Sequence, residues 1–424
     1  VAALAPSLDE RRTWSFAPGD AATRFLHDAL TGLLRELDRL EAETVAQVER
    51  ELRWAKQLAQ WNGRHPRARV GWDEVRAALA ASEEPSLRAL APSFAPLPGL
   101  VPLGANPRTG LLEFYDLRSA WDGIGDPAAL PIPRHDAEGR IVFDANDVDA
   151  ATAGPGLAAA AGVTFVLLPG GTFVMGAQNT RPDDANYDPA AREGEDAHHV
   201  TLAPFLLARH ELTQAQWARL WRGDPALLRP SQYGPGTEDR RRGVVTEAHP
   251  VEQVTWPMAN ALAADHGCVL PTEAMWEYAC RAGRETPYWC GGRPEDLGSL
   301  ANLLDRTAAA KVTTWGAPGP FDDGAVLHWP VGSGRANPFG LHDVHGNVFE
   351  WCRERYIGYE FPTDPRSGER RGPPTTPDRC CRGGSFSYPH NLARAAMRMR
   401  SPESTKLFSH GLRLARELPP PAAK

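Results

Sequence analysis

Glycine and proline interrupt this chain so often, 39 of each among 424 residues, that long regular elements cannot make up its main body. Glycine supplies backbone conformations with positive φ and proline removes an amide donor, so their abundance means turns, short strands and irregular loops. A helical bundle is therefore disfavoured. At this length the chain suits two domains, or one large domain with a substantial N-terminal extension. Hydrophobic residues at 42% and charged residues at 23% are ordinary for a globular protein and argue against wholesale disorder.

The charge balance narrows the partners. A formal net charge of -7 and a pI near 6.0 argue against a nucleic-acid groove or an anionic membrane surface, which would need a concentrated basic patch. A local patch remains at Arg240, Arg241 and Arg242. There is no run of about 18 apolar residues, and the apolar start Val1 to Pro6 lacks the basic region and length of a signal peptide. The expectation is a soluble, cytoplasmic protein, and the missing initiator Met suggests a processed or excised fragment. Six cysteines, Cys268, Cys280, Cys290, Cys352, Cys380 and Cys381, form no Cys-x-x-Cys pair and are read as mostly reduced, with no zinc site.

Between Ala21 and Trp61 apolar residues recur at steps of three and four (Phe25, Leu26, Leu30, Leu33, Leu34, Leu37, Leu40, Val45, Val48, Leu52), which predicts one long amphipathic helix or two joined ones. A second helical pattern spans Trp72 to Ala81. Residues 1–95 are accordingly read as a helical region that packs on the main domain or a missing neighbour, with self-association through its helices as the alternative. Residues 96–160 alternate short apolar runs with Pro, Gly and Asp and read as a short-strand connector. From Val163 the pattern changes: Phe165 to Gly176 is a strand, a Gly-Gly turn and a second strand, as expected of a hairpin.

The identifying segments follow in order. They are His210-Glu211-Leu212-Thr213-Gln214-Ala215-Gln216-Trp217, His249-Pro250-Val251-Glu252-Gln253-Val254-Thr255-Trp256, and Leu270-Pro271-Thr272-Glu273-Ala274-Met275-Trp276. Next come Asn337-Pro338-Phe339-Gly340-Leu341-His342-Asp343-Val344-His345-Gly346-Asn347-Val348-Phe349-Glu350-Trp351, Arg382-Gly383-Gly384-Ser385-Phe386, and Gly411-Leu412-Arg413-Leu414-Ala415. Thr213 and Thr272 can cap helices, and Trp217, Trp256, Trp276 and Trp351 are large enough to fill a core poor in long helices, so their role is read as structural. In this order and spacing the series resembles the formylglycine-generating-enzyme (sulfatase-modifying factor) family over about Val163 to Arg416. The resemblance implies an α+β, C-type-lectin-like fold with little regular secondary structure, here residues 161–418, preceded by the helical N-terminal region.

Catalytic members of that family hold copper on two cysteines just after the Gly-Gly-Ser, and soft thiolates suit a cuprous ion. The matching positions here are Tyr388 and Ala393, so copper oxidation is not expected. The family's iron-dependent branch draws ligands from a His-x-x-x-His-x-Glu motif in a helical partner domain, and this chain has none, so neither copper nor iron is expected. The resemblance does imply structural calcium, at Asp343, Gly346, Val348 and Glu350, and at a second set of Asn302, Leu303, Asp323 and Ala325; the alternative is that Asp343 and Glu350 satisfy buried amides. His198 and His199 together suggest a metal, but the resemblance implies a core or turn element at a position like His198, and Ser385 has no evident acid or base partner. With no catalytic residues assigned, the segment occupying the place of the family's active-site groove is read as a binding surface. Its residues are Phe386, Ser387, Tyr388, His390, Asn391, Met397, Met399, Ser401, Glu403, Lys406, Phe408 and His410, a mixture suited to adaptable recognition of a protein or small ligand. The layout resembles the variable proteins of diversity-generating retroelements, which display such a segment. The alternatives are a sensor domain attached to a Ser/Thr kinase and, last, a metal-dependent oxidase.

Overall fold

The computed structural model describes residues 65–144, 161–239, 243–312, 317–373 and 376–419, together with parts of 31–61. It divides into two units, Val1–Asn62 and Gly63–Lys424. In the first unit residues 48–58 are helical, as their periodicity predicts, while most of the Ala21–Trp61 pattern and the arginines 240–242 lie outside the described residues.

In the second unit the chain begins with α1 (Trp72–Ala80) and α2 (Pro85–Leu90). Glu74 in the first turn of α1 accepts the Gly71 N–H at 2.9 Å, satisfying a donor that helix geometry leaves orphaned. The buried stripe Trp72, Val75, Leu79 follows the helical repeat. Strands β1 (Leu100–Ala105) and β2 (Leu112–Asp116) follow, then β3 (Thr164–Leu168), β4 (Gly171–Met175), β5 (His198–Leu202) and β6 (Phe205–Ala208). Helices α3 (Gln214–Leu220), α4 (Trp256–Asp265) and α5 (Glu273–Arg281) precede β7 (Phe349–Arg355), β8 (Asp378–Arg382), β9 (Met399–Pro402), β10 (His410–Gly411) and β11 (Ala415–Glu417).

One sheet has the order β1-β2-β3-β6-β11, antiparallel throughout, and a second has the order β9-β8-β7-β10, with β7 and β10 parallel. Two expectations change here. The stretch expected to be a connector supplies β1 and β2, which extend the main sheet through pairs such as Phe114↔Phe165. Every residue of β2 is buried, so both of its faces need partners, and Trp72 of α1 stacks on Phe114 with ring centroids 5.7 Å apart. The strands around Gly170-Gly171, expected to pair with each other, also do not: β3 pairs with β2 and β6, whereas β4 pairs with β5. Gly170 and Gly171 have φ of 67° and 107°, and a Cβ on Gly170 would sit 2.4 Å from the Leu202 carbonyl oxygen. The glycines thus turn the chain across a close backbone contact into a different sheet.

The helix starts follow local chemistry. Thr213 Oγ1 accepts the Gln216 N–H at 3.1 Å, and Gln216 returns a bond to the Thr213 N–H at 3.1 Å, a reciprocal cap. Thr255 and Thr272 cap α4 and α5 with the one-way bond alone, accepting the Met258 and Met275 N–H groups. The tryptophans are packed as fillers whose indole N–H groups are satisfied: Trp217 by the Leu227 carbonyl at 3.0 Å, Trp256 by Cys352 at 2.8 Å and Trp351 by Val254 at 2.9 Å.

Candidate functional site

Strand β8 ends in Arg382 and delivers the chain into Gly383-Gly384-Ser385. Gly383 and Gly384 have φ of 100° and 80°, and a Cβ on Gly384 would meet the Ala393 methyl at 2.8 Å. That close approach folds the segment back on itself, with Ala393 fully buried and Tyr388 half-buried against Phe349 at 5.2 Å between ring centroids.

The twelve residues expected to form a binding surface separate into a floor and a rim. Phe386, Ser387, Met397, Ser401 and His410 are buried, so as side chains they are core rather than surface. His410, for instance, lies between Phe349 and Trp351, bonds Ser401 Oγ at 3.3 Å, and is pushed by burial down to about 4. Tyr388, His390, Asn391, Met399, Glu403 and Phe408 are partly exposed and Lys406 is exposed. Glu403 is paired with Arg379 at 3.2 Å, and Met399 packs against the core.

The floor brings in residues that sequence reasoning did not assign. Phe386 forms a ring cluster with Tyr233 at 6.0 Å, Phe408 at 5.8 Å and His328 at 5.6 Å. His328 is buried with neither ring nitrogen hydrogen-bonded, and its Nε2 stands 3.9 Å from Glu252 Oε1. Glu252 is also buried; its Oε1 accepts the Tyr233 N–H at 2.7 Å while its Oε2 has no hydrogen-bond partner. His249 packs on His328 at 5.3 Å, and burial followed by the charge of that neighbour pushes its imidazole down to about 3. On the rim, His390 Nδ1 and Asn391 Oδ1 are likewise shielded and unbonded.

Buried guanidinium groups brace the segment from behind. Glu273 and Glu277, one turn apart on α5, meet Arg382 at 3.0 and 3.1 Å, and Arg398 grips Glu273 at 2.7 Å. Although burial opposes it, the adjacent Arg398 and Arg382 hold the Glu273 carboxyl down at about 2. Arg394 bridges Asp188 at 2.6 Å and Glu195 at 2.9 Å. The only local signal for any of this was the Arg of Arg-Gly-Gly-Ser, since the carboxylates lie far away in sequence. His198 accepts from Arg370 at 2.8 Å and packs on Tyr359, a structural placement. Ser385 Oγ meets only Ser387 Oγ, at 3.2 Å, among its side-chain contacts.

Of the two calcium sets, the first does not fit an ion. Glu350 accepts from Trp276 Nε1 at 2.7 Å and from Arg413 Nε and Nη2 at 3.0 and 2.7 Å, so its charge and lone pairs are already spent. Asp343 Oδ2 accepts the Gly332 N–H at 2.6 Å, and burial raises its carboxyl to about 6. The Gly346 and Val348 N–H groups are bonded to the Gly383 carbonyl at 2.8 Å and to Glu211 at 3.0 Å, which braces the same loop. The second set is more open. Asp323 accepts the Leu303 and Ala325 N–H groups at 2.9 Å each, Asn302 turns its Nδ2 to the Leu327 carbonyl at 2.9 Å, and burial followed by Asp322 raises the neighbouring Asp305. Among the described residues no three His, Cys, Asp or Glu side chains converge on an ion position, so calcium there would rely on the Asn302 side chain and backbone carbonyls.

Residues 156–418, over half of the chain, match the family model described as the sulfatase-modifying factor enzyme 1-like domain. The chain belongs to that family. A formylglycine-generating enzyme of Thermomonospora curvata is 29% identical over 287 residues, covering 57% of this chain and 89% of that protein. The serine/threonine-protein kinase pkn1 of Chlamydia pneumoniae is 31% identical over 274 residues, covering 60% of this chain but 38% of the kinase. Among solved structures, Treponema denticola variable protein 1 matches 60% of this chain and 96% of its own at 19% identity, with a TM-score of 0.45. Within the sulfatase-modifying factor domain of this chain, the two positions that the resemblance sets against the family's copper-binding cysteines carry the half-buried phenol of Tyr388 and the buried methyl of Ala393. The cysteines nearest in sequence, Cys380 and Cys381, are on β8, inside the core and before the Gly-Gly turn. Among the described residues no helix is long and apolar enough to cross a membrane.

Proposed function

We propose that this domain is a non-enzymatic recognition module that presents the rim of Phe386–His410, and the cluster beneath it, to a protein or small ligand. The observation that carries the reading is two sets of shielded polar atoms without hydrogen-bond partners, His328 and Glu252 Oε2 beside Phe386, and His390 Nδ1 and Asn391 Oδ1 within the segment itself. Leaving buried polar groups unbonded costs about 1–3 kcal/mol each, and a ligand supplying donors and acceptors recovers that cost. The lack of thiols at positions 388 and 393 weighs against copper-dependent oxidation. Display of a diversified segment is one use of such a module. A sensor attached to a kinase is the second, favoured by the pkn1 match. Six free thiols suit a reducing, cytoplasmic setting. The acidic net charge supports a partner other than nucleic acid or membrane, and the N-terminal helices remain a candidate for self-association. Calcium at Asn302 and Asp323 would fix the loops behind the rim.

The test uses the purified full chain in two assays. Incubated with copper, oxygen and a cysteine-containing peptide, it should leave the peptide mass unchanged; turnover would overturn the non-enzymatic reading. Immobilised for selection from a random peptide library, it should enrich binders whose affinity drops at least tenfold with the double variant His390→Ala, Lys406→Ala. Binders indifferent to that variant would remove the rim from the proposal. A melting scan of the same protein should rise with calcium, and Asp323→Ala should abolish the rise.

A further inference from the structure

Strands β7 and β8 are antiparallel with Glu350↔Arg382 and Trp351↔Cys381 as partners; Cys352 and Cys380 are the next residue beyond that last pair on each strand, where the register shifts. Alternation along a strand then puts these two side chains on one face. The packing agrees: Trp351 and Cys381 belong to one apolar cluster, Cys352 and Cys380 to the other. Facing residues of an antiparallel pair have Cα atoms about 4.5–5.5 Å apart, so the Trp351↔Cys381 pair one step away sets a strand separation inside the roughly 4.4–6.8 Å that a disulfide spans. Cys380 donates its thiol proton to Glu273 Oε1 at 2.7 Å, and burial, then the neighbouring Cys380, raises the Cys352 thiol well above its ordinary value. The Cys380 sulfur thus stands between Cys352 and a carboxylate that is held in ion pairs with Arg382 and Arg398.

We propose that Cys352 and Cys380 form a reversible dithiol switch, joined into a cross-strand disulfide by a small peroxide oxidant. In the oxidation each thiol loses one proton and one electron and an S–S bond forms. Hydrogen peroxide accepts the two electrons and two protons as its O–O bond breaks, leaving as two waters. A dithiol reductant such as dithiothreitol restores both thiols. The bond removes the Cys380 donor from Glu273 and ties β8 to β7 immediately before Gly383-Gly384-Ser385, so the link acts on the strand that feeds the rim. Both sulfurs are fully buried, which restricts the oxidant to one small enough to enter during local opening.

The experiment treats the native full chain with hydrogen peroxide, removes it, denatures the protein, alkylates with iodoacetamide and maps the peptides by mass spectrometry. All six cysteines should be alkylated before treatment and four after it, with one peptide pair joined through Cys352 and Cys380 and released by dithiothreitol. Cys352→Ser and Cys380→Ser should each yield no linked pair, while Cys268→Ser should behave as the parent. Six alkylated cysteines after treatment, a link through any other cysteine, or oxidation of a single sulfur to sulfinic acid would overturn the proposal. The map of the unsubstituted chain decides the matter even where a serine variant fails to fold.

Discussion

Glu354 is a carboxyl sealed at the start of α5, where its Oε2 accepts the Glu273 N–H at 2.9 Å and its Oε1 has no partner. Burial, then the charge of Glu273, raises it from 4.5 to about 8. Between those values the folded chain keeps a proton that the unfolded chain has released, so stability falls as pH rises through that window. Glu354→Gln, which mimics the neutral acid, should match the parent in urea denaturation near pH 4.5 and exceed it near pH 8, by a margin on the order of a few kcal/mol; identical pH slopes would refute this. Such a residue could not be read in the sequence, because its state depends on Glu273 more than 80 residues away in the chain. The buried arginines were illegible for the same reason: Arg382 meets Glu273 across 109 positions and Arg394 meets Asp188 across 206. The tryptophans were legible, since an indole of that size in a chain with few long helices has little use except as filler.

Helix ends depend on neighbours a few residues away, and these were read correctly at Thr213 and Thr272. Thr272 does more than cap: its Oγ1 accepts the Met275 N–H at 3.0 Å and donates to the Ser367 carbonyl at 2.6 Å, tying the start of α5 to a distant loop. Thr272→Ala should lower the unfolding free energy by about 1–2 kcal/mol, the cap plus one stranded carbonyl, in chemical denaturation. A loss within the scatter of surface substitutions would show that water replaces both bonds. Strand partners are another matter. The Gly170-Gly171 turn is visible locally, yet whether the following strand folds back or crosses to another sheet is decided by the approach of Leu202 and Ala203, which no local pattern encodes.

For the molecule as a whole, the family and its fold were legible because six short motifs stand in register along half the chain. The membership of β1 and β2 in the main sheet, and the division of the recognition segment into floor and rim, were not, because both depend on tertiary burial. The same burial sets the response to acid. His210, His249, His342, His345 and His410 are all held neutral by burial, with His249 and His342 at about 3 and His345 and His410 at about 4. Below pH 6.5 the unfolded chain takes protons that these imidazoles refuse, so stability should fall as pH drops. Asp116, Glu211, Asp305, Asp343 and Glu354, raised by burial, pull the other way, but His65, His198 and His390 are lowered as well, and eight groups outweigh five. Urea midpoints should therefore be lower at pH 4.5 than at pH 7, and an unchanged or higher midpoint at pH 4.5 would mean that some of these histidines are hydrated.

The strand order β1-β2-β3-β6-β11 has a mechanical consequence. It sets β1 and β11, drawn from the two ends of this unit, on opposite rims of one sheet, and β11 is held to β6 by three facing residue pairs. Tension between those rims acts along the hydrogen bonds rather than across them, loading one pair at a time from Glu417 inward. A domain tethered at both ends would then open strand by strand like a zipper at low force, and the strands inside the sheet would be the last to yield.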